Sequence, residues 1–317
     1  MTFRPSTRHS TKHNTVFPLI NHFLKQTFSS LSHRNYRLWF FGQMVSLFGT
    51  WMQSTAQGYL LYQLTKSPIY LGYVGFASGI PTWLFTLFGG VTADRMSKRA
   101  MLIITQISMM ILAFILASLT FSNLIQPWHI LILALCLGIA NAFDAPARLS
   151  IIPEMVGKEN LANAIALNST MFNIASAVGP AIGGLVYAAL GPGWCFTING
   201  ISFIAVIFAL LLMHLNSPTK LPSTNSALKD LKEGLIYVAK HPIIRLLILN
   251  LAIVSLFGFG MIALIPAWAV NVLKGDSVTN GLLLSARGIG ALVGALMIAS
   301  LGSIKFKGKL LAIGSIV

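Results

Sequence analysis

Acidic side chains are scarce in this sequence: seven Asp and Glu in 317 residues, against 22 Lys and Arg. All charged residues together make up 9% of the chain, where a soluble globular domain carries roughly a quarter. No helix carries paired carboxylates for acid–base chemistry, and no H-E-x-x-H, Walker phosphate loop or Gly-x-Ser-x-Gly elbow occurs. The chain is therefore read as no enzyme, and ATP-driven transport within it is excluded. Cysteine is as sparse. Cys136 and Cys195 lie singly in apolar stretches without metal-ligand spacing, the pattern of buried thiols. No metal and no cofactor are expected.

What the sequence has instead is apolar length. Hydrophobic residues make up 55% and the mean hydropathy is +0.76. Uncharged runs of about 20 residues, enough to cross a bilayer as helices, recur at 38–64, 69–92, 101–122, 128–147, 165–190, 194–215, 243–272 and 279–302. A ninth opens near Leu310. The fold class is an all-α polytopic membrane protein. The organisation predicted is a cytoplasmic tail (1–36), a six-helix bundle (37–215), a Ser-, Thr-, Pro- and Lys-rich linker (216–242) and a partial second bundle (243–317). Six helices, a long polar connection and further helices is the plan of transporters built from two six-helix halves. A helix stopping nine residues after Gly308 would rise only about 14 Å. The chain is accordingly expected to lack the rest of helix nine and helices ten to twelve.

The net charge of +15 is distributed with a sign. Nineteen of the 22 basic residues fall on one side of the predicted spans, leaving Lys66 and Lys274 opposite and Arg287 within a span. This is the positive-inside pattern and puts the N-terminus in the cytoplasm, with anionic lipid headgroups as neighbours. No compact basic, aromatic-laced domain exists to bind nucleic acid. The first 36 residues have no apolar core followed by a cleavage site, so no signal peptide is read there. His9, His13, His22 and His33 sit in this tail, and Phe17–Phe28 could lie flat on the membrane as an amphipathic helix.

Four charges are packed into Asp94–Arg99, behind Gly89 and Gly90. The glycines would let a neighbouring helix approach closely, while Arg95, Lys98 and Arg99 would answer a carboxylate at a helix end. Gly90-Val-Thr-Ala-Asp94-Arg95-Met-Ser-Lys98-Arg99 resembles the loop signature G-x-L-a-D-r-x-G-r-[KR] of the major facilitator superfamily. Thr92 and Ser97 depart from it, and Ser97 makes a left-handed turn less easy. Gly179-Pro180-x-x-Gly183-Gly184 resembles a packing element of exporters in the same superfamily, with Ala175 in place of its leading glycine. Pro180 would bend its helix and the glycines would admit a close neighbour. Ser32–Gln53, followed by the Phe143–Ser169 pattern, is similar to the branch holding enterobactin exporters and related efflux proteins, and the resemblance covers roughly Ser32 to the end. By this resemblance Asp144, one turn from Arg148 at the cytoplasmic edge, should meet Lys98 or Arg99, with Asp94 facing the other half.

On the first span Ser46, Thr50, Gln53 and Gln57 share one helical face, either a pathway wall or a set of interhelical hydrogen bonds. Arg287, about seven residues into span eight, reads either as a cavity or gate residue or as a snorkelling one. Asn173, Asn199, Asn250 and His214 read as packing or edge residues. No Asp or Glu falls deep in a span, so no proton-coupling carboxylate is visible. The function expected is secondary active transport by alternating access: export of small amphiphilic, siderophore- or drug-like molecules from a bacterial inner membrane by a monomer. Proton antiport is implied by the resemblance. The alternatives are a truncated non-transporting membrane protein or interaction subunit, and an importer of the same superfamily.

Overall fold

The computed structural model describes residues 27–214 and 236–300. A short turn, Ser29–Ser32, leads into α1 (Arg34–Thr65), α2 (Pro68–Arg95), α3 (Lys98–Phe121), α4 (Pro127–Val156), α5 (Leu161–Leu190) and α6 (Pro192–Leu212). After the polar connection come α7 (Pro242–Ala263), α8 (Ile265–Asn271) and α9 (Ser277–Ser300). The predicted helix Phe17–Phe28, apart from its last two residues, lies outside the described residues, as do most of the linker and the ninth span.

The helix ends follow local chemistry. Proline opens α2, α4, α6 and α7, where its missing N–H costs nothing. Gly157 and Gly191, at φ 71° and 89°, end α4 and α5. Ser97 caps α3 with extended backbone, its hydroxyl accepting from the Ala100 N–H at 3.5 Å. No left-handed turn is needed where the family signature has its second glycine, so serine fits.

Two predicted spans need correction. The fourth does not end at 147: α4 continues to Val156, nine residues further, through both Pro146 and Pro153. The seventh is broken at Leu264, because Pro266 in the first turn of α8 cannot donate back to α7. By length and composition α2 to α6 and Pro242–Asn271 suffice to cross a membrane. α1, about 48 Å long, has the length but is more polar, and α9 is about 36 Å long.

α2 packs along α4, α1 between α5 and α6, α3 against α4 and α6, and α9 along α5. One apolar core gathers Tyr36, Trp39, Met101, Ile151 and Leu210 towards the end that bears Arg95, Lys98 and Arg99, here called the basic end. Another gathers Met52, Leu61, Leu116, Ile130 and Phe196 towards the opposite end, and Ala267 of α8 joins it. Large apolar side chains such as Phe76, Trp83, Ile104 and Phe208 point outward, as a hydrocarbon surround requires.

Proline and glycine face each other across the α2–α4 contact. Pro146 leaves the Ala142 carbonyl without its helical donor, and Gly89 of α2 lies directly against that carbonyl. In return, Gly138 of α4 lies against the Ser78 carbonyl, in the turn that Pro81 interrupts. Thr82 Oγ1 bridges the pair, donating to Gly138 O at 3.0 Å. Gly90, by contrast, has open space around it and does not serve close approach. Gly138→Ala should therefore lower stability by about 1–3 kcal/mol, since backbone cannot yield to the added methyl. Gly90→Ala should leave stability unchanged or slightly raised. Thermal melting of the detergent-solubilised protein compares the two.

Candidate functional site

A cavity of about 480 Å³ lies among α1 to α6, with Ile262, Ala263, Pro266 and Leu284 of the later helices also lining it. This is the size of a small-molecule site. Ser46, Thr50, Gln53 and Gln57 of α1 all line it. Gln53 also accepts from Asn199 Nδ2 of α6 at 2.8 Å, so at that residue the wall and the interhelical bond coincide. Gln43, Gln106 and Asn141 add amides, and Trp51, Phe172 and Phe203 add aromatic surface.

Asp144 and Arg148 line the same cavity and are the charged residues among its described lining. Because α4 runs on to Val156, Asp144 lies about 18 Å from the basic end of its helix, well within a membrane-spanning segment. This corrects two expectations: Asp144 is not at the edge, and an acidic residue does fall deep in a span. Its side chain is 3% exposed. Oδ1 accepts from Thr105 Oγ1 and from Gln106 Nε2, both at 2.9 Å, and Oδ2 faces Arg148 Nε at 3.6 Å. Gln106 must present its nitrogen to the carboxylate, which leaves its buried Oε1 without a partner among the described residues.

Asp144 does not meet Lys98 or Arg99. Lys98 pairs with Glu154 Oε1 at 2.5 Å and donates to Ser150 O at 2.9 Å, both on the last turns of α4. Arg99 Nη2 donates to Leu211 O at 2.7 Å, a cation placed at the C-terminus of α6. The physical reason is distance along the helix: ten residues separate Asp144 from Glu154, about 15 Å, and only Glu154 reaches the loop. Sequence reasoning misses Glu154 because it ends the span too early. The signal that could find it is the recurrence of apolar residues at Ala147, Ile151, Ile152, Met155 and Val156, all buried. Asp94 and Arg95 are exposed and form no ion pair among the described residues.

The α5 element divides its residues between two neighbours. A Cβ on Gly179 would come to 2.6 Å from the Trp51 Cβ and one on Gly183 to 3.0 Å from the Met52 Cα, so this face belongs to α1. Pro180 and Gly184 face α9. The Pro180-freed carbonyl of Ser176 lies at Gly288, and the Pro180 carbonyl lies at Gly281, each 2.5 Å from a hypothetical Cβ. Ser285 Oγ accepts from Ala181 N–H at 2.9 Å, and Ser277 Oγ donates to Gly184 O at 3.2 Å. Asn280 is fully buried with neither amide atom partnered among the described residues. Just before α9, Asp276 holds its carboxyl below the usual range by accepting from the Thr279 N–H at 3.0 Å. Arg287 is exposed and lies outside the cavity lining. It follows Ser277 by ten residues, about 15 Å along α9, which is deeper than the outer-leaflet position expected.

Residues 25–317 match the family described as transmembrane secretion effector, of the MFS type. The chain belongs to the major facilitator superfamily. Among curated relatives, it is 27% identical over 262 residues to the staphyloferrin A transporter of Staphylococcus aureus, covering 82% of this chain and 66% of that protein. It is 27% identical over 253 residues to the multidrug efflux pump Tap of Mycolicibacterium fortuitum (75% and 60% covered). It is 25% identical over 289 residues to the enterobactin exporter EntS of Citrobacter koseri (90% and 68% covered). A crystal structure of a bacterial homologue of the human lysosomal transporter Spinster, inward-facing and unoccupied, shares the fold at TM-score 0.63 and 19% identity, over 85% of this chain and 63% of that one. The chain thus spans roughly two thirds of the length of such relatives. It is an integral multi-pass membrane protein, and a lipid bilayer and a small molecule are the partners this family implies.

The Lys98–Glu154 pair is largely buried, its side chains 11% and 20% exposed. Lys98→Glu should cost about 1.5–3 kcal/mol, because a charge-assisted bond is lost and two carboxylates are brought together. Adding Glu154→Lys should restore most of it. Melting of the single and double variants measures the coupling.

Proposed function

We propose that this chain forms a secondary transporter that exports small amphiphilic molecules by alternating access, driven by proton antiport across a bacterial inner membrane. The carrying observation is a cavity bounded on its far side by a tight α5–α9 contact. That contact runs from Ser176 to Gly184 and from Ser277 to Gly288, which are the halves of both helices away from the basic end. The α8 residues Pro266 and Ala267 close against α1 at the same end. With the basic end in the cytoplasm, the cavity is shut to the outside, the inward-facing state of such a cycle. The protein works as a monomer, without nucleic acid, and its N-terminal six helices move as one body against the helices after the linker.

Direction and substrate class rest on the relatives, among them a multidrug efflux pump and an enterobactin exporter. In the basic-end cluster Lys98 and Arg99 tie α3 to α4 and α6, while Asp94 and Arg95 stay free to meet the second bundle when the cytoplasmic side closes. Pairing of Asp94 across that gap would stabilise the outward-facing state.

Two measurements test the reading. Thr50 is exposed to the cavity. A Thr50→Cys variant lacking Cys136 and Cys195 should react with a membrane-impermeant maleimide from the cytoplasmic side of vesicles and hardly at all from the outer side. Gly184→Leu, which removes the room for Ser277, should increase outer-side labelling severalfold. Labelling with equal rates from both sides in the parent would sink alternating access. In proton-loaded proteoliposomes of the full chain, uptake of a siderophore or drug probe in exchange for lumenal protons should fall on collapsing the pH gradient and in Asp94→Asn; no gradient-dependent uptake at all would favour a non-transporting protein.

A further inference from the structure

The charge pair in the cavity is asymmetric in how well its two members are satisfied. Asp144 holds two short hydrogen bonds from α3, Thr105 and Gln106, besides the flanking guanidinium. Gln106 gives its amide nitrogen to the carboxylate even though its own oxygen is left buried and unpartnered. The carboxylate is therefore held in place without Arg148. Arg148 has the reverse situation: it meets Asp144 only through Nε, at 3.6 Å, and the two η nitrogens have no hydrogen-bond partner among the described residues. Its side chain is 27% exposed, and it is exposed to the cavity it lines. A guanidinium carries five donors in a planar fork that matches an oxyanion with two parallel bonds. Here the fork's outer edge is open.

Deepening the transport reading above, on which it rests, we propose that Arg148 is the anion-binding residue of the cavity, and that the substrates are amphiphiles carrying a carboxylate or a like oxyanion on an apolar body. The lining supplies both parts. Trp51, Phe172 and Phe203 offer flat apolar surface for the body, and no second cation competes for the charged end among the described lining residues. A cationic ligand has less of an opening, because Asp144 Oδ1 already accepts two hydrogen bonds, Oδ2 faces Arg148 and the side chain is 3% exposed. Arg148 then exchanges partners: its Nε contact to Asp144 lengthens or breaks as the fork turns to the ligand, and Thr105 and Gln106 keep Oδ1 of the carboxylate bonded. Arginine suits this better than lysine, since its charge is planar, delocalised and less strongly hydrated.

The test uses the purified full chain in detergent micelles and three probes of one shape: naphthalene-1-acetate, its methyl ester and naphthylmethylammonium. Calorimetric titration should show the anion binding at least about tenfold more tightly than the ester or the cation, the worth of one charge-assisted fork. Arg148→Gln should abolish that preference, and Arg148→Lys should retain only part of it. Asp144→Asn should keep or tighten anion binding, because it removes the competing charge while leaving the fork. The double variant Asp144→Asn/Arg148→Gln, free of any unpaired charge, guards against misfolding of the single one and should bind acid and ester alike. The inference is overturned if the wild type binds the acid no better than the ester, including binding neither. It also fails if the preference survives Arg148→Gln, or if the cation binds and is lost in Asp144→Asn. Flux of the same anion across proteoliposomes is scored separately: Arg148-dependent binding without flux would leave this site standing and refute transport.

Discussion

Inside a bilayer a backbone carbonyl that loses its helical donor has no water to turn to, and in this structure glycine brings a neighbouring helix close against the turns that proline interrupts. Gly89 closes on the carbonyl freed by Pro146, Gly138 on the turn interrupted by Pro81, and Gly288 on the carbonyl freed by Pro180. Each pairing fixes how near two helices come and at what register. The first two are reciprocal and join α2 to α4 inside one bundle. The third joins α5 to α9, across the break between the bundles. The same device therefore makes both the permanent contact and the one on which the proposed cycle depends.

The difference between those contacts lies in polar satisfaction. Between α2 and α4, the Thr82 hydroxyl reaches the neighbouring backbone and no buried side-chain polar atom of that contact is left over among the described residues. Between α5 and α9, Ser285 and Ser277 bond well, but Asn280 buries a whole amide with no partner among the described residues. An unsatisfied buried polar group costs about 1–3 kcal/mol. The α5–α9 contact is thus tight in shape yet weaker than its area would allow. In the proposed cycle this interface parts and re-forms, and that combination serves it better than maximal stability.

Hydropathy makes the helices legible because a charge-free run of bilayer length has hardly any place to go but across a membrane. It fails at α4, where Asp144, Pro146 and Arg148 look like the end of a span. A window of apolar residues cannot distinguish a charge facing lipid from one facing Thr105 and Gln106 on a neighbouring helix. Helical periodicity can, since the buried positions continue in step to Val156. One misplaced helix end has three consequences: it puts Asp144 in the loop cluster, hides Glu154, and leaves the chain without an intramembrane carboxylate. The Gly179–Gly184 element is legible as a packing motif, but its division of labour is not. Residues 179 and 183 face α1 while 180 and 184 face α9, and the identity of the two partners is tertiary information.

Asp144 and Arg148 also show why charge can persist at such depth. An isolated ion in hydrocarbon would be prohibitive, whereas a carboxylate with two neutral donors and an adjacent guanidinium is solvated by the protein itself. The neutral donors matter most. If the pair were satisfied only by each other, moving Arg148 to a ligand would strand a bare carboxylate, and the cost of that step would oppose binding. With Thr105 and Gln106 bearing on Oδ1, the exchange leaves the carboxylate still bonded. Because both donors come from α3 and both charges from α4, it needs no movement between those helices. In the proposed cycle, substrate binding can then be decided by one side chain, while opening and closing fall to α5 and α9.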